Sequence, residues 1–115
     1  TSFIPRYYNG KFNLHQRCYC VEPLEKGMGF FLYQTLMMYR IYFLYVATWA
    51  TVPSLRLNNF KNFKVLLPKK ELCFQYNEIA EKMNDEILLL KNKNELLAKQ
   101  RDMLLPRLMS GKLEV

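Results

Sequence analysis

The sequence predicts an α+β chain, with a small mixed α/β domain over residues 1–68 and one long coiled-coil-forming helix over residues 69–115. Three observations predict it. Residues 70–105 hold neither glycine nor proline and carry an apolar heptad. Upstream, alternating, β-branched and aromatic runs mark strands. Charge divides at the same place: residues 1–70 hold ten Lys/Arg against Glu22 and Glu25, whereas residues 71–115 hold seven against eight Asp/Glu, giving +8 and −1. Half of the residues are apolar and only four are glycine, which permits a packed core and argues against disorder.

The chain opens on Thr1 rather than Met, in apolar-aromatic sequence without signal-peptide character, so a further N-terminal part is expected to precede it. Residues 11–21 read as a strand. Phe12, Leu14, Cys18 and Cys20 fall on one face and Lys11, Asn13, His15 and Arg17 on the other, a face open to solvent or nucleic acid. His15 is the only histidine and has no acid or nucleophile at suggestive spacing, which gives it no catalytic setting. Cys18, Cys20 and Cys73 are an odd number without a second pair at zinc spacing, so buried cytoplasmic thiols are expected rather than a disulfide framework or a metal site.

After Gly27 and Gly29, residues 30–50 are mostly apolar and aromatic, long enough to raise the question of a membrane span. Arg40 stands in the middle, where a bilayer makes a charge costly. A buried helix over residues 30–40 and a strand over residues 41–46 account for the same composition. Residues 51–59 read as a polar, proline-containing loop, and residues 60–67 as a last strand closed by Pro68.

Beyond Pro68 the period changes to that of a helix. With Ile87 at position a, the a sites are Ala80, Ile87, Asn94, Arg101 and Leu108, and the d sites are Tyr76, Met83, Leu90, Leu97 and Leu104. The small domain is too short to cover such a rod, so a partner helix is required. Asn94 at an a site suits register selection, because a buried amide is satisfied only opposite a polar group. Arg101 is expected to lay its stem on the seam with the guanidinium in water. Pro106 should stop or kink the helix, and Gly111 suits a C-terminal cap.

The tail Leu104-Leu105-Pro106-Arg107-Leu108-Met109-Ser110-Gly111-Lys112-Leu113-Glu114-Val115 resembles the distal conserved region of type I restriction-modification specificity subunits, which end in a long helix and an L-L-P-x-L-[MIL]-S-G-x-[LI]-x-V signature. Thr51-Val52-Pro53-Ser54-Leu55, then Phe60, then Val65-Leu66-Leu67-Pro68, resembles the end of the target-recognition domain before that helix. Residues 45–115 carry the resemblance; residues 1–44 fit loosely, as a region that varies with the DNA read would. Two departures stand out. Ala47-Thr48-Trp49-Ala50 lacks the glycine that relatives often place at this turn, and Pro68-Lys69-Lys70-Glu71-Leu72 keeps one proline of P-P-x-x-E-Q and lacks the glutamine.

The resemblance implies a non-catalytic DNA reader. A full subunit has two recognition domains whose conserved helices pair antiparallel as a spacer, so that each domain reads half of a split site in double-stranded DNA. The spacer also docks methylation subunits, which with the nuclease subunits supply the chemistry. Residues 1–68 then form the C-terminal part of one recognition domain. Candidate DNA contacts, chosen by exposure and chemistry, are Lys11, Asn13, His15 and Arg17, with Thr51, Ser54, Arg56, Asn58, Asn59 and Lys61 around the loop. The heptad residues form the helix-pairing interface. No cofactor and no metal ligand set is expected, and no phosphate-binding glycine loop or catalytic triad is present in the sequence. Two other readings compete: a coiled-coil interaction protein with an incidental basic domain, and a small membrane-associated protein using residues 30–50.

Overall fold

A computed structural model of the chain describes residues 3–112. Among them the architecture is helical: α1 Gly29–Met38, α2 Arg40–Val46, α3 Leu57–Lys61 and α4 Lys70–Met109. The only strand-like pairing in these residues is an isolated antiparallel bridge between Thr48 and Ser54. The expected α+β class is therefore corrected to a mostly helical fold with one long helix. The chain divides into two compact units, Thr1–Ile79 and Ala80–Val115.

Residues 11–21 are not a strand. They run irregularly, with a turn in which the Cys18 N–H donates to the His15 carbonyl at 2.8 Å. A strand must satisfy its backbone against a neighbour, and no neighbouring strand is found among the described residues. The alternation buries nothing: Phe12 and Leu14 are half exposed, at 49% and 50%. Cys18 and Cys20 are likewise exposed, against the expectation of buried thiols, while Cys73 is buried.

Residues 41–46 are helical where a strand was expected. The reason is aromatic packing. Phe43, 4% exposed, is enclosed by Phe60 at 5.2 Å and Phe63 at 4.8 Å between ring centroids, with Tyr42 also on Phe63. Phe60 and Phe63 are three residues apart, so they share a face only on a helical turn; a strand would send them to opposite sides. The chain makes that turn through Asn62 N–H to Asn58 O (3.0 Å) and Phe63 N–H to Phe60 O (3.2 Å). The strand expected over residues 60–67 is thus replaced by the end of α3 and an irregular segment. Helix α1 fits the expected helix over residues 30–40, and the apolar stretch breaks at Tyr39 before α2 begins. No helix among the described residues is long and apolar enough to cross a membrane.

The N-terminus of α1 has no cap from its own sequence. Instead the Asn77 side chain, one of the early residues of α4, accepts the Phe30 N–H at 3.0 Å. A helix start leaves its first N–H groups without helical partners, and a remote amide satisfies one of them here. Tyr7 stacks on Phe30 at 4.2 Å and meets Tyr33 edge-on at 5.9 Å, covering the same end of α1. Cys73, 1% exposed, is the most buried side chain of this unit, and Gly27 lies directly against Phe74. The first turns of α4 therefore belong to the core of the Thr1–Ile79 unit.

Helix α4 spans 40 residues, about 60 Å at ~1.5 Å per residue. Pro106 lies inside it rather than ending it. The proline removes the N–H that would donate to the Asp102 carbonyl, while the Ser110 N–H still donates to the Pro106 carbonyl at 3.0 Å. Gly111 caps the helix as expected. Its φ is +71°, its N–H donates to Leu108 O (3.2 Å), and the Lys112 N–H donates to Arg107 O (2.9 Å). That pair of bonds is the Schellman motif, which requires a left-handed residue and favours glycine. The last three residues of the tail signature, Leu113, Glu114 and Val115, lie outside the described residues.

Candidate nucleic-acid interface

The loop between α2 and α3 is held at both ends. Thr48 and Ser54 exchange both backbone hydrogen bonds, at 3.0 and 3.1 Å, closing a loop of Trp49, Ala50, Thr51, Val52 and Pro53. No non-glycine residue among those described has a positive φ, so this loop closes without the glycine that the resembling family often has. Below it, Asn59 ties two elements together. Its Oδ1 accepts the Arg56 N–H at 2.6 Å, and its Nδ2 donates to the Val46 carbonyl at 2.9 Å, joining the end of α2 to the start of α3.

This arrangement sorts the loop candidates. Thr51, Arg56, Asn58 and Lys61 are exposed. Ser54 is half-buried, with its backbone committed to Thr48. Asn59 has its amide oxygen and one amide nitrogen contact engaged within the protein, which makes it a positioning residue for the loop.

Lys11, Asn13, His15 and Arg17 are all exposed, on an irregular segment rather than on one strand face. His15 Nδ1 accepts the Arg17 N–H at 3.3 Å, which helps to form the turn. Tyr19 joins this segment to the loop. Its ring packs on Phe60 with centroids 5.0 Å apart, and its hydroxyl donates to the Leu55 carbonyl at 3.4 Å. Phe60 precedes Lys61 and Leu55 precedes Arg56, so Tyr19 ties the segment just after Arg17 to the part of the chain that carries Arg56 and Lys61. Sequence reasoning passed over Tyr19; a lone tyrosine between two cysteines gives no periodic signal.

The electrostatics are one-sided. From Lys26 to Lys70 there are seven cations (Lys26, Arg40, Arg56, Lys61, Lys64, Lys69 and Lys70) and no acid. All seven are exposed. Glu25, just outside that run, pairs with Lys70 at 2.7 Å, a partly exposed contact of the kind that contributes ~0–1 kcal/mol. Among the described residues no three His, Cys, Asp or Glu gather into a group that could hold a metal ion.

On α4 the expected pairing residues lie open. Ala80 is half-buried, and Tyr76, Met83, Ile87, Leu90, Asn94, Leu97, Arg101, Leu104 and Leu108 are exposed. Leu90 is 51% and Leu97 61% exposed, where a paired seam would cover both. Arg101 reaches its neighbour Asp102 at 2.9 Å, with its guanidinium in solvent. A second apolar row was missed: Leu89, Leu96 and Met103 recur at seven-residue spacing outside the a and d sites, and they too are exposed. That spacing was visible in the sequence, but a two-stranded heptad has no use for it. The chain matches no protein-family description, no curated protein and no solved structure.

Proposed function

We propose that this chain is the C-terminal part of the specificity subunit of a type I restriction-modification enzyme, reading one half of a bipartite DNA site without chemistry of its own. The observation that carries this reading is α4: a 40-residue helix with an exposed apolar seam, running through Pro106 and closed at Gly111 by a Schellman cap. These are the positions of the proline and glycine in the tail signature, and here each has a definite structural setting. The reading calls for two kinds of protein neighbour on this helix, a second conserved helix and the methylation subunits. The a/d seam suits the first, and the Leu89, Leu96 and Met103 row suits the second.

The acid-free run from Lys26 to Lys70 supports the DNA contact. Lysine and arginine groups that neutralise phosphates release condensed counterions and position the protein, while hydroxyl, amide and guanidinium groups read base edges. Thr51, Arg56, Asn58 and Lys61, with Lys11, Asn13, His15 and Arg17, are exposed and are the candidate contacts in this reading. Asn59 ties down the loop that carries Thr51 and Arg56.

The test is a titration of labelled duplex DNA with the full chain at several salt concentrations. Affinity should fall with a log–log slope of about −0.9 per phosphate contacted. A salt-independent interaction, or none at low ionic strength, would reject DNA binding. It would favour a coiled-coil interaction protein with an incidental basic unit, for which the exposed seam alone suffices.

A further inference from the structure

We propose that the outer face of α2 and the loop after it form a stacking platform for an unpaired nucleobase. This deepens the DNA-binding reading and rests on it, adding the state of the base that the protein prefers. Helix α2 is two-sided. Its inner face sends Phe43 into the aromatic cluster, whereas Ile41 and Tyr45, one turn apart, are 75% and 85% exposed. With Leu44 and Trp49 they line an open cleft of about 580 Å³. Trp49 is 63% exposed and follows Thr48, whose backbone is fixed by the pair with Ser54. Neither Tyr45 nor Trp49 joins the aromatic pairs that hold this unit together. The platform is thus two unpartnered aromatic rings on an anchored backbone, ready to stack with little loss of freedom.

Charge selects the occupant. Arg40 adjoins Ile41 in sequence, Arg56 follows the loop, and no acid lies between Lys26 and Lys70. The complement of such a face combines a flat apolar surface with negative charge, and a nucleotide supplies both. Aromatic stacking on a base is tolerant of sequence and is a recurrent means of binding unpaired strands. In a continuous duplex both faces of a base are covered by its neighbours, so exposing one costs a few kcal/mol of unstacking. A base already outside the stack avoids that cost and should bind tighter.

Trp49 is the only tryptophan, so its emission reports on this cleft alone. The full chain would be titrated with end-labelled DNA of one sequence in two forms, a fully paired duplex and the same duplex with a single-base bulge. Label anisotropy reads binding and tryptophan emission reads stacking. The bulged duplex should bind tighter and quench the emission. Trp49→Ala should weaken the bulged complex roughly 5- to 150-fold and the paired complex much less, with Trp49→Phe intermediate and an unchanged circular dichroism spectrum for both. Equal affinities with unchanged emission would overturn the platform and leave DNA binding standing. No binding to either duplex would remove both. A blue shift with phosphatidylglycerol vesicles, without quenching by DNA, would assign the face to a lipid surface and overturn the proposal.

Discussion

Replacing Gly27 with alanine would place a methyl group 2.7 Å from Cδ1 and 3.0 Å from Cε1 of Phe74. It would do so at a residue with φ of +87°, a conformation that L side chains avoid. The two costs can be separated, because Gly111 has a similar φ of +71° and nothing within 4 Å of an added Cβ. The left-handed conformation alone costs about 1–2 kcal/mol. At Gly27 the ring must also move. Phe74 follows Cys73, the most deeply buried residue, so its backbone is anchored and the side chain must swing outward. Overpacking of this kind costs about 1–3 kcal/mol. Gly27→Ala should therefore destabilise the Thr1–Ile79 unit by about 2–5 kcal/mol. For a domain of that size this lowers the melting temperature by roughly 8–40 °C. Gly111→Ala should leave that melting unchanged and act locally, raising hydrogen exchange at the Gly111 and Lys112 amides. The assay is thermal and urea unfolding of both variants, with Phe74→Ala added to each. Removing the ring should recover part of the Gly27→Ala loss and none of the Gly111→Ala effect. Equal losses for the two glycine variants, or no coupling between positions 27 and 74, would refute the reasoning.

Asn59→Ala should cost about 1–2 kcal/mol in urea unfolding, since it frees the Arg56 N–H and the Val46 carbonyl together. Asn58→Ala, at an exposed neighbour, should stay within about 0.5 kcal/mol of the parent; equal effects would mean that the clamp is not formed. Leu90→Ala and Leu97→Ala should leave the melting of residues 1–79 nearly unchanged, yet each should weaken association with a partner helix by about 2–5 kcal/mol where fully buried against it. Sedimentation and melting that show no change in association for either would place the pairing face elsewhere. Asn94→Ile should raise the stability of the paired helix while giving mixed orientations or higher oligomers. A lower melting temperature with a single mass in solution would sink the register argument.

The helical part of the fold was legible because its causes are local. A stretch without glycine or proline, with apolar residues at helical spacing, has one regular conformation open to it, and α4 follows from that. Gly111 was equally legible, since a helix end needs a left-handed residue and glycine adopts that conformation without penalty. Pro106 was expected to stop or kink the helix, and it does not stop it: one missing N–H does not end a helix of this length. The a and d residues of α4 other than Ala80 are exposed in this chain.

The strands failed for the opposite reason. Alternation over residues 11–21 and the aromatic run over residues 41–46 describe which side chains could share a face, and a face matters only if something covers it. The covering was decided in three dimensions. Phe43 found Phe60 and Phe63, whose spacing of three demands a turn, and without a neighbouring strand residues 11–21 had no ladder to join. The same holds for the candidate interface. Its cations and its lack of acid from Lys26 to Lys70 are properties of the sequence alone. That Asn59 faces inward as a clamp, that Tyr19 packs on Phe60 and reaches the Leu55 carbonyl, and that Asn77 caps a helix 47 residues earlier were decided by tertiary contact. Hydrogen-bonding side chains take whichever partner folding places nearest, and no local pattern records a partner that is distant in the chain.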